Sequence, residues 1–380
     1  MKSFRKVLIV KSVIPKYDYE FYQKLSLAKE FELYVTSDTL KKNQLNTDIS
    51  LQKSFHSIHT RIVKIGPFIY TVGLQKIINK IKPNVIVFAS NPRDIGLLFF
   101  IALNKYIYHR KIVTWSMYHR IGGEFFFSRF IHKLAGKMSD RNMSYTNIGA
   151  KCQNNRGIPL EKIDVIGTAI DEKKIFQIQS GSEGFNKEAF LNKYDLKGKF
   201  ILLQVLRLSA IKKPNLLVDM MRLLVKSDSS IRLILIGGGD LEDKLKLNVR
   251  DSNLESYFIF VGPMYDEIEL SNWFNVAKIF VVPTCIGLSA HHAFCYGLPI
   301  ITDNSKTNQA SEFDILQDEY NCLLYKEGDM LSFSERILQL KNNEELYKKI
   351  SNNALMTVKK VHTLENKVIN FISSINRVFK

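Results

Sequence analysis

Residues 279–299, IFVVPTCIGLSAHHAFCYGLP, constrain this chain more than any other stretch. The run 279–282 is apolar and mostly β-branched, so it reads as a buried strand, and Pro283 ends its ladder. Gly287 and Ser289 then open a helix expected over 288–296, which Gly297, Leu298 and Pro299 close. A buried strand, a loop of small residues and a helix mouth bring free backbone N–H groups and the positive end of a helix dipole to one point, which suits a phosphate. Two histidines, His291 and His292, lie on the first turns of that helix. The same pattern also fits an ordinary βα unit of an α/β sheet, so it speaks to fold class before function.

The rest of the chain repeats the alternation. Strands are expected at 6–11, 31–36, 61–65, 84–89, 111–115, 142–145 and 163–166, with helices at 17–29, 74–81, 95–103, 125–138 and 148–155 between them. The polar stretch 38–59 takes no assignment, and 168–197 reads as a linker with one helix. A strong strand at 200–206 then restarts the pattern, followed by strands at 231–236, 257–261, 279–282, 300–301 and 321–325. Their helices fall at 214–225, 241–247, 266–275, 288–296, 331–340, 344–358 and 364–378. Strands alternating with helices give parallel sheets covered on both faces, and 380 residues exceed one ordinary core. The expected architecture is α/β, with two doubly wound domains at 1–170 and 199–362, a linker at 171–198 and a terminal helix at 363–380.

Composition removes several classes. The four cysteines, Cys152, Cys285, Cys295 and Cys322, form no CxxC pair and sit in apolar contexts, which favours a reduced chain over a disulfide scaffold or a zinc site. Lys11 interrupts the first apolar run after four residues, so the N-terminus reads as a strand rather than a signal peptide. The longest apolar run, 95–103, is far short of a membrane span. No carboxylate or His/Cys cluster has metal-ligand spacing, so no metal is expected. The net charge of +17 is uneven: residues 1–176 hold 29 Lys and Arg against 13 Asp and Glu. That excess asks for an anionic partner (a membrane surface, nucleic acid or a phosphorylated substrate), unless it reflects a lysine-rich genome.

Four constellations carry chemistry. Arg207 and Lys212 lie five apart in the loop after a buried strand, the edge where α/β folds bind ligands. The arginine offers a fork and the lysine a point charge to a diphosphate, although two surface cations in a loop are common. The turn Gly237-Gly238-Gly239-Asp240 permits close backbone approach to a ligand, and equally a tight βα turn. The third is the stretch above. The fourth, Ser311-Glu312-Phe313-Asp314, has carboxylates that suit a sugar contact or, more ordinarily, a helix cap.

In this order the motifs resemble the nucleotide-sugar half of a retaining GT-B glycosyltransferase of the family-four type. The family pattern is R-L-x-x-x-K after a strand, a GxG turn, F-x-G, A-D-x-F-V-x-P and G-x-P-V-I. Here it corresponds to 207–212, 234–239, Phe260-Val261-Gly262, 277–283 and 297–301. The similarity spans about 199–330, with looser likeness at 82–87 and 157–171. The paired-glutamate signature of the family is absent: its positions fall at Thr284 and His292. Gly287-Leu288-Ser289-Ala290-His291-His292 resembles instead a bacterial surface-polysaccharide (capsule or O-antigen) subgroup with histidine there. A histidine can also hydrogen-bond a hydroxyl or phosphate, and it can also be an ordinary core residue.

The resemblance implies two Rossmann-like domains facing a cleft, the first binding the acceptor and the second the donor, with the terminal helix crossing back. It implies a hexosyltransferase-like reaction with retention by front-face attack, no enzyme nucleophile and no cofactor beyond the nucleotide-diphosphate sugar substrate. Arg207, Lys212 and His119 are then the candidate catalytic residues. His119 lies in Trp115-Ser116-Met117-Tyr118-His119, where the family often has W-x-H. Gly239, Gly262, Pro263, Gly287, Leu288, Ser289, His292 and Glu312 are the candidate donor-binding residues. The expected partners are a nucleotide sugar, a glycan or lipid-linked oligosaccharide acceptor and an anionic membrane surface, on the cytoplasmic face of the cell membrane.

Two other classes remain open. One is a GT-B nucleotide-sugar epimerase, which has no use for the basic first half. The other is a non-catalytic nucleotide- or nucleic-acid-binding protein; nucleic acid is not expected, because the basic residues are not interleaved with aromatics as in single-strand binders. A membrane contact has its own local pattern. On the helix expected at 125–138, Arg129, Lys133 and Lys137 form one stripe and Phe126, Phe130, Leu134 and Met138 the next. That suits a bilayer interface, or a surface helix with its apolar stripe in the core.

Overall fold

The computed structural model describes residues 5–38, 55–119, 121–181 and 185–380, without the side chain of Lys16. Most of the unassigned polar stretch, residues 39–54, lies outside the described residues. The chain forms two compact units, Met1–Ile170 together with Leu364–Lys380, and Asp171–Thr363.

Unit 1 is built on strands β1 (Arg5–Val10), β2 (Phe31–Asp38), β3 (His56–Ile65), β4 (Phe68–Val72), β5 (Val85–Ala89), β6 (Lys111–Ser116), β7 (Arg141–Ser144) and β8 (Ile163–Val165). Its helices are α1 (Tyr19–Leu27), α2 (Leu74–Ile81), α3 (Leu97–Ala102), α4 (Phe126–Met138) and α5 (Asn147–Asn155). The sheet runs β4-β3-β2-β1-β5-β6-β7-β8. Its centre is buried on both faces: Val7, Leu8 and Ile9, and Val85, Ile86 and Val87, are wholly inaccessible. This is why those strands read as unbroken apolar runs rather than alternations. One apolar cluster joins one face to α1, and another joins the opposite face to α2, α3 and α4.

The sheet differs from expectation at one edge. Strand β4 pairs antiparallel with β3, while the other pairings are parallel. Gly66, with φ of 58°, turns the chain back so that Ile65 faces Phe68. A two-residue turn of this kind makes a hairpin, which needs no crossover helix to announce it.

Unit 2 opens with α6 (Glu172–Gly181) and α7 (Lys187–Lys193). Residues 168–197, expected as a linker with one helix, thus carry two. Asn186 caps the second by accepting from the Ala189 N–H at 2.9 Å. The strands β9 (Phe200–Val205), β10 (Ile231–Ile236), β11 (Phe258–Gly262), β12 (Ile279–Val281), β13 (Ile300–Asp303) and β14 (Cys322–Tyr325) alternate with α8 (Leu216–Ser227), α9 (Glu242–Asp251), α10 (Glu267–Val276) and α11 (Ser289–Cys295). Helices α12 (Met330–Asn342) and α13 (Glu344–Met356) follow. Phe190 and Tyr194 of the opening helices pack on Trp273 of α10, ring centroids 4.9 and 4.6 Å away.

The second sheet is wholly parallel, in the order β11-β10-β9-β12-β13-β14. The chain winds outward from β9 through β10 to β11, then returns to the other side of β9 with β12. Between β9 and β12 the winding reverses, and the loops leaving the carboxyl ends of strands beside such a switch point form a crevice. The last helix, α14 (Leu364–Arg377), belongs to unit 1. Its Phe371 meets Phe21 and Trp115 edge-on at 5.6 and 5.4 Å. Among the described residues no helix is long and apolar enough to cross a membrane. The four cysteines carry no disulfide.

Candidate functional site

At the switch point of unit 2, backbone alone brings three of the expected motifs together. The loop after β9 and the glycine turn after β10 are laced by hydrogen bonds: Leu206 N–H to the Ile236 carbonyl, Leu208 N–H to that of Gly238, and Leu241 N–H to that of Leu208, at 3.0 to 3.2 Å. Gly237 N–H donates to the carbonyl of Gly262, at the end of β11, at 2.9 Å. The approach is so close that a Cβ on Gly237 would collide with the Leu206 carbonyl, and one on Gly239 with the Leu208 carbonyl. Glycine is therefore required at 237 and 239 by packing between loops. Pro263 lies more loosely against Gly238, its ring 3.1 Å from where a Cβ would sit.

Leu208 is buried and pins this loop, which leaves Arg207 on the outside. The Arg207 side chain is 70% exposed and lies 3.6 Å from Asp240, itself 81% exposed. An ion pair so open to water holds its partners weakly, so the guanidinium is available to a ligand. Lys212 ends a one-turn helix, Ala210–Lys212, and its ammonium turns inward to donate to the backbone carbonyl of Cys285. That carbonyl belongs to the loop after β12, and Cys285 itself takes a left-handed φ of 56°. The Lys212 Nζ also lies 3.8 Å from where a Cβ of Gly287 would sit. The structure thus joins Lys212 to the Gly287 loop and Arg207 to the glycine turn.

The loop 283–288 is held from beneath by polar groups that local sequence reading does not reveal. Tyr325 donates its hydroxyl to the Pro283 carbonyl at 2.6 Å, and Ile286 N–H donates to Gln309 Oε1 at 2.8 Å. The Gln309 amide donates in turn to the Asp303 carboxylate at 2.8 Å. Burial pushes the Asp303 carboxyl up from the usual range, and bonds from the Ser305 N–H and Gln309 oppose that shift. These partners come from β13, β14 and the loop between them, so sequence spacing carries no sign of them.

Within 279–300 only Gly287, Leu288, Ser289, His292 and Tyr296 reach solvent. The first three form the mouth of α11, whose N-cap Leu288 makes no side-chain cap bond. His292 lies one turn on and faces α10: its Nε2 is 3.4 Å from Glu267 Oε2, and its ring stacks on Phe274 at 6.1 Å. Glu312 sits buried in a one-turn helix, Ser311–Ile315, and accepts from the Ser311 hydroxyl at 3.2 Å. The N-cap residue of that helix, Ala310, makes no side-chain cap bond. Among the described residues no three His, Cys, Asp or Glu side chains gather as a metal-ligand group.

In unit 1 the loop after β6 carries His119. Tyr118 before it is buried in a left-handed conformation, φ 60°, with its hydroxyl donating to Thr114 at 2.8 Å. His119 is half-buried, and its Nδ1 is 3.3 Å from the Met117 carbonyl. The helix that follows, α4, buries His132, Ala135 and Gly136 and exposes Phe126, Phe130, Arg129, Lys133 and Lys137. Phe126 is 85% exposed, and Phe125 and Phe127 beside it are exposed as well. The aromatic end of the expected apolar stripe therefore faces water, while Leu134 and Met138 are half-buried. Unit 1 holds 30 Lys and Arg against 12 Asp and Glu, and unit 2 holds 24 against 25.

Two α/β units with mostly parallel sheets, the second with glycine-laced loops at its switch point, are the parts of a GT-B fold, and comparison with known proteins agrees. Residues 186–356 match the family model described as glycosyl transferases group 1. The poly(ribitol-phosphate) alpha-N-acetylglucosaminyltransferase of Staphylococcus aureus (strain COL) is 23% identical over 186 residues, 49% of this chain and 36% of that protein. The amylovoran biosynthesis glycosyltransferase AmsK of Erwinia amylovora is 25% identical over 197 residues, 50% of this chain and 44% of that one. The chain spans less than half the length of these curated relatives. Anabaena Alr3699/HepE, solved in complex with UDP, superposes with a TM-score of 0.73 at 13% identity, covering 98% of this chain and 100% of that one. The match to the glycosyl transferases group 1 model lies within unit 2, and the likeness to solved structures shows the GT-B fold.

Proposed function

We propose that this chain is a retaining, metal-independent glycosyltransferase that moves a sugar from a nucleotide-diphosphate donor to a growing, lipid-linked glycan during surface polysaccharide synthesis. The observation that carries the reading is the placement of Lys212 against the Cys285 carbonyl beside the open mouth at 287–289. An ammonium has three donors, so one bond to a carbonyl leaves two for phosphate oxygens. Arg207 adds a fork from the adjoining loop, and the first turn of α11 adds backbone N–H groups. Together they would neutralise charge as it develops on the leaving diphosphate, where electrostatic stabilisation contributes most. Gly239, Gly262 and Pro263 would line the nucleotide. His292 and Glu312 would contact the donor sugar or ribose, although His292 must then leave or share its contact with Glu267.

His119 would contact the acceptor or the sugar in unit 1. The charge of unit 1, with the aromatic and basic surface of α4, supports docking on the anionic inner face of the cell membrane, where a lipid-linked acceptor is presented. Alr3699/HepE was solved with UDP, which makes UDP-sugars the first donors to try. The test is product analysis by NMR over a panel of nucleotide sugars with a lipid-linked oligosaccharide acceptor. Transfer with the anomeric configuration of the donor is the expected result. An inverted product would overturn retention, and conversion of the donor to an epimer without transfer would reassign the protein as an epimerase.

A further inference from the structure

Beneath the His119 loop of unit 1 lies a buried charged group that the proposed reaction does not use. Arg156 caps the C-terminus of α5 and is only 5% exposed. Its Nη2 donates to the Tyr118 carbonyl at 2.7 Å and makes an ion pair with Glu124. Its Nη1 donates to Gln153 of its own helix at 3.2 Å. Tyr118 and Glu124 are the two ends of the segment that carries His119, so a single guanidinium closes this loop. Between them Gly122 and Gly123 take φ of 79° and 100°, and a Cβ on either would meet nothing within 4 Å. The middle of the loop therefore has the freedom of glycine, while its ends are held from below.

The ends would not stay in place unaided. A left-handed tyrosine is strained and persists only where its surroundings hold it. Here the side chain is buried, and the kink turns the peptide carbonyl inward to Arg156. Glu124 also lies 3.9 Å from His132 Nε2, whose other ring nitrogen is 3.0 Å from the Ser90 hydroxyl. Burial and the nearby Arg156 charge push the His132 imidazole down to about 3, so at neutral pH it carries no charge. Among the described residues, Arg156 is the charged partner of Glu124.

We infer that Arg156 is a positioning residue: its Nη2 holds both ends of the loop, Nη1 anchors the guanidinium to Gln153, and together they set where His119 is presented. The loop-closing role rests on the geometry alone; its kinetic consequence rests on the reading that His119 meets substrate. A lysine at 156 keeps the charge, but its side chain ends one bond short of the position of Nη2 and has no second nitrogen for Gln153.

Hydrogen exchange on the full-length protein tests the closure without any assay of activity. Arg156→Lys, and Glu124→Gln as a second variant that keeps side-chain shape, are expected to speed exchange in the loop 118–124 while the β5 and β6 amides stay protected. Unchanged exchange in both variants would overturn the inference whatever the enzyme does. Kinetics test the consequence. Arg156→Lys should lower kcat by roughly 10- to 100-fold with the donor KM little changed, as expected for a misplaced group. In a double-mutant cycle it should cost less than about threefold on top of His119→Ala, because the two act as one unit. Additive losses, or full activity in Arg156→Lys, would refute a role through His119. A fully active His119→Ala would instead remove the assignment of His119 and leave the exchange result to judge the closure.

Discussion

The Lys212 ammonium donates to the carbonyl of Cys285, across the gap between the loop after β9 and the loop after β12. One cation therefore both fastens the switch-point loops of unit 2 and stands beside the solvent-reaching residues Gly287, Leu288 and Ser289. Arg207, five residues earlier, has no such structural duty: its contact with Asp240 is long and open to water.

This difference separates two substitutions. Both Arg207→Ala and Lys212→Ala should lower turnover by 10²-fold or more, on the order of 3 kcal/mol of lost charge stabilisation. Only Lys212→Ala should also lower the melting temperature. Steady-state kinetics with thermal unfolding checks this; full activity in both variants with an intact fold would end the diphosphate assignment.

Gly237→Ala should disrupt the crevice from behind. The added methyl meets the Leu206 carbonyl, and the residue's φ of 130° is unfavourable to any side chain. A loss of about 2 kcal/mol of stability is expected, with weaker UDP binding by calorimetry. Unchanged binding would mean the glycine turn is geometry only and no part of the nucleotide site.

Transfer should survive EDTA, since the diphosphate charge is assigned to Arg207, Lys212 and the mouth of α11. Loss of activity on chelation, restored by Mg²⁺ or Mn²⁺, would show that a divalent ion does that work.

Vesicle co-sedimentation tests α4. Each cation near an anionic surface contributes about 1 kcal/mol, and salt screens it. The combined Arg129→Glu, Lys133→Glu and Lys137→Glu variant should lose binding at low salt. Phe126→Ala with Phe130→Ala should weaken the binding that persists at high salt, because exposed rings insert at an interface. Equal sedimentation of all three proteins would place the contact elsewhere.

Acid should loosen α14. Asp164 on β8 accepts from Arg141 Nε at 2.5 Å, Ser374 Oγ at 2.6 Å and Arg377 Nη1 at 2.6 Å. Burial alone would raise its carboxyl, but the bonds from Arg141 and Ser374 and the two guanidinium charges hold it below the usual range. A depressed carboxyl stabilises the fold above its unfolded value and loses that contribution as pH falls through the folded value. Asp164→Asn should therefore cost about 3 kcal/mol at pH 7, and the gap from wild type should shrink toward pH 3, measured by urea unfolding. A gap independent of pH would show that charge plays no part.

The sheet strands were legible because burial on both faces leaves unbroken runs such as 85–88 and 233–236. Loop glycines were legible too, since a backbone approach that excludes Cβ marks its own residue. Their order along the chain sufficed for the α/β class, the two-domain plan and the GT-B resemblance. Strand β4 was missed because a half-exposed hairpin strand of five residues has neither a buried run nor a connecting helix to mark it. The partners of the candidate residues lay beyond reach for a different reason. Cys285 for Lys212, Gln309 for Ile286, Glu267 for His292 and Arg156 for Tyr118 are separated by 73, 23, 25 and 38 positions. Local pattern reports which way a side chain faces; which group it meets depends on how strands pair in space, and only the tertiary structure decides that.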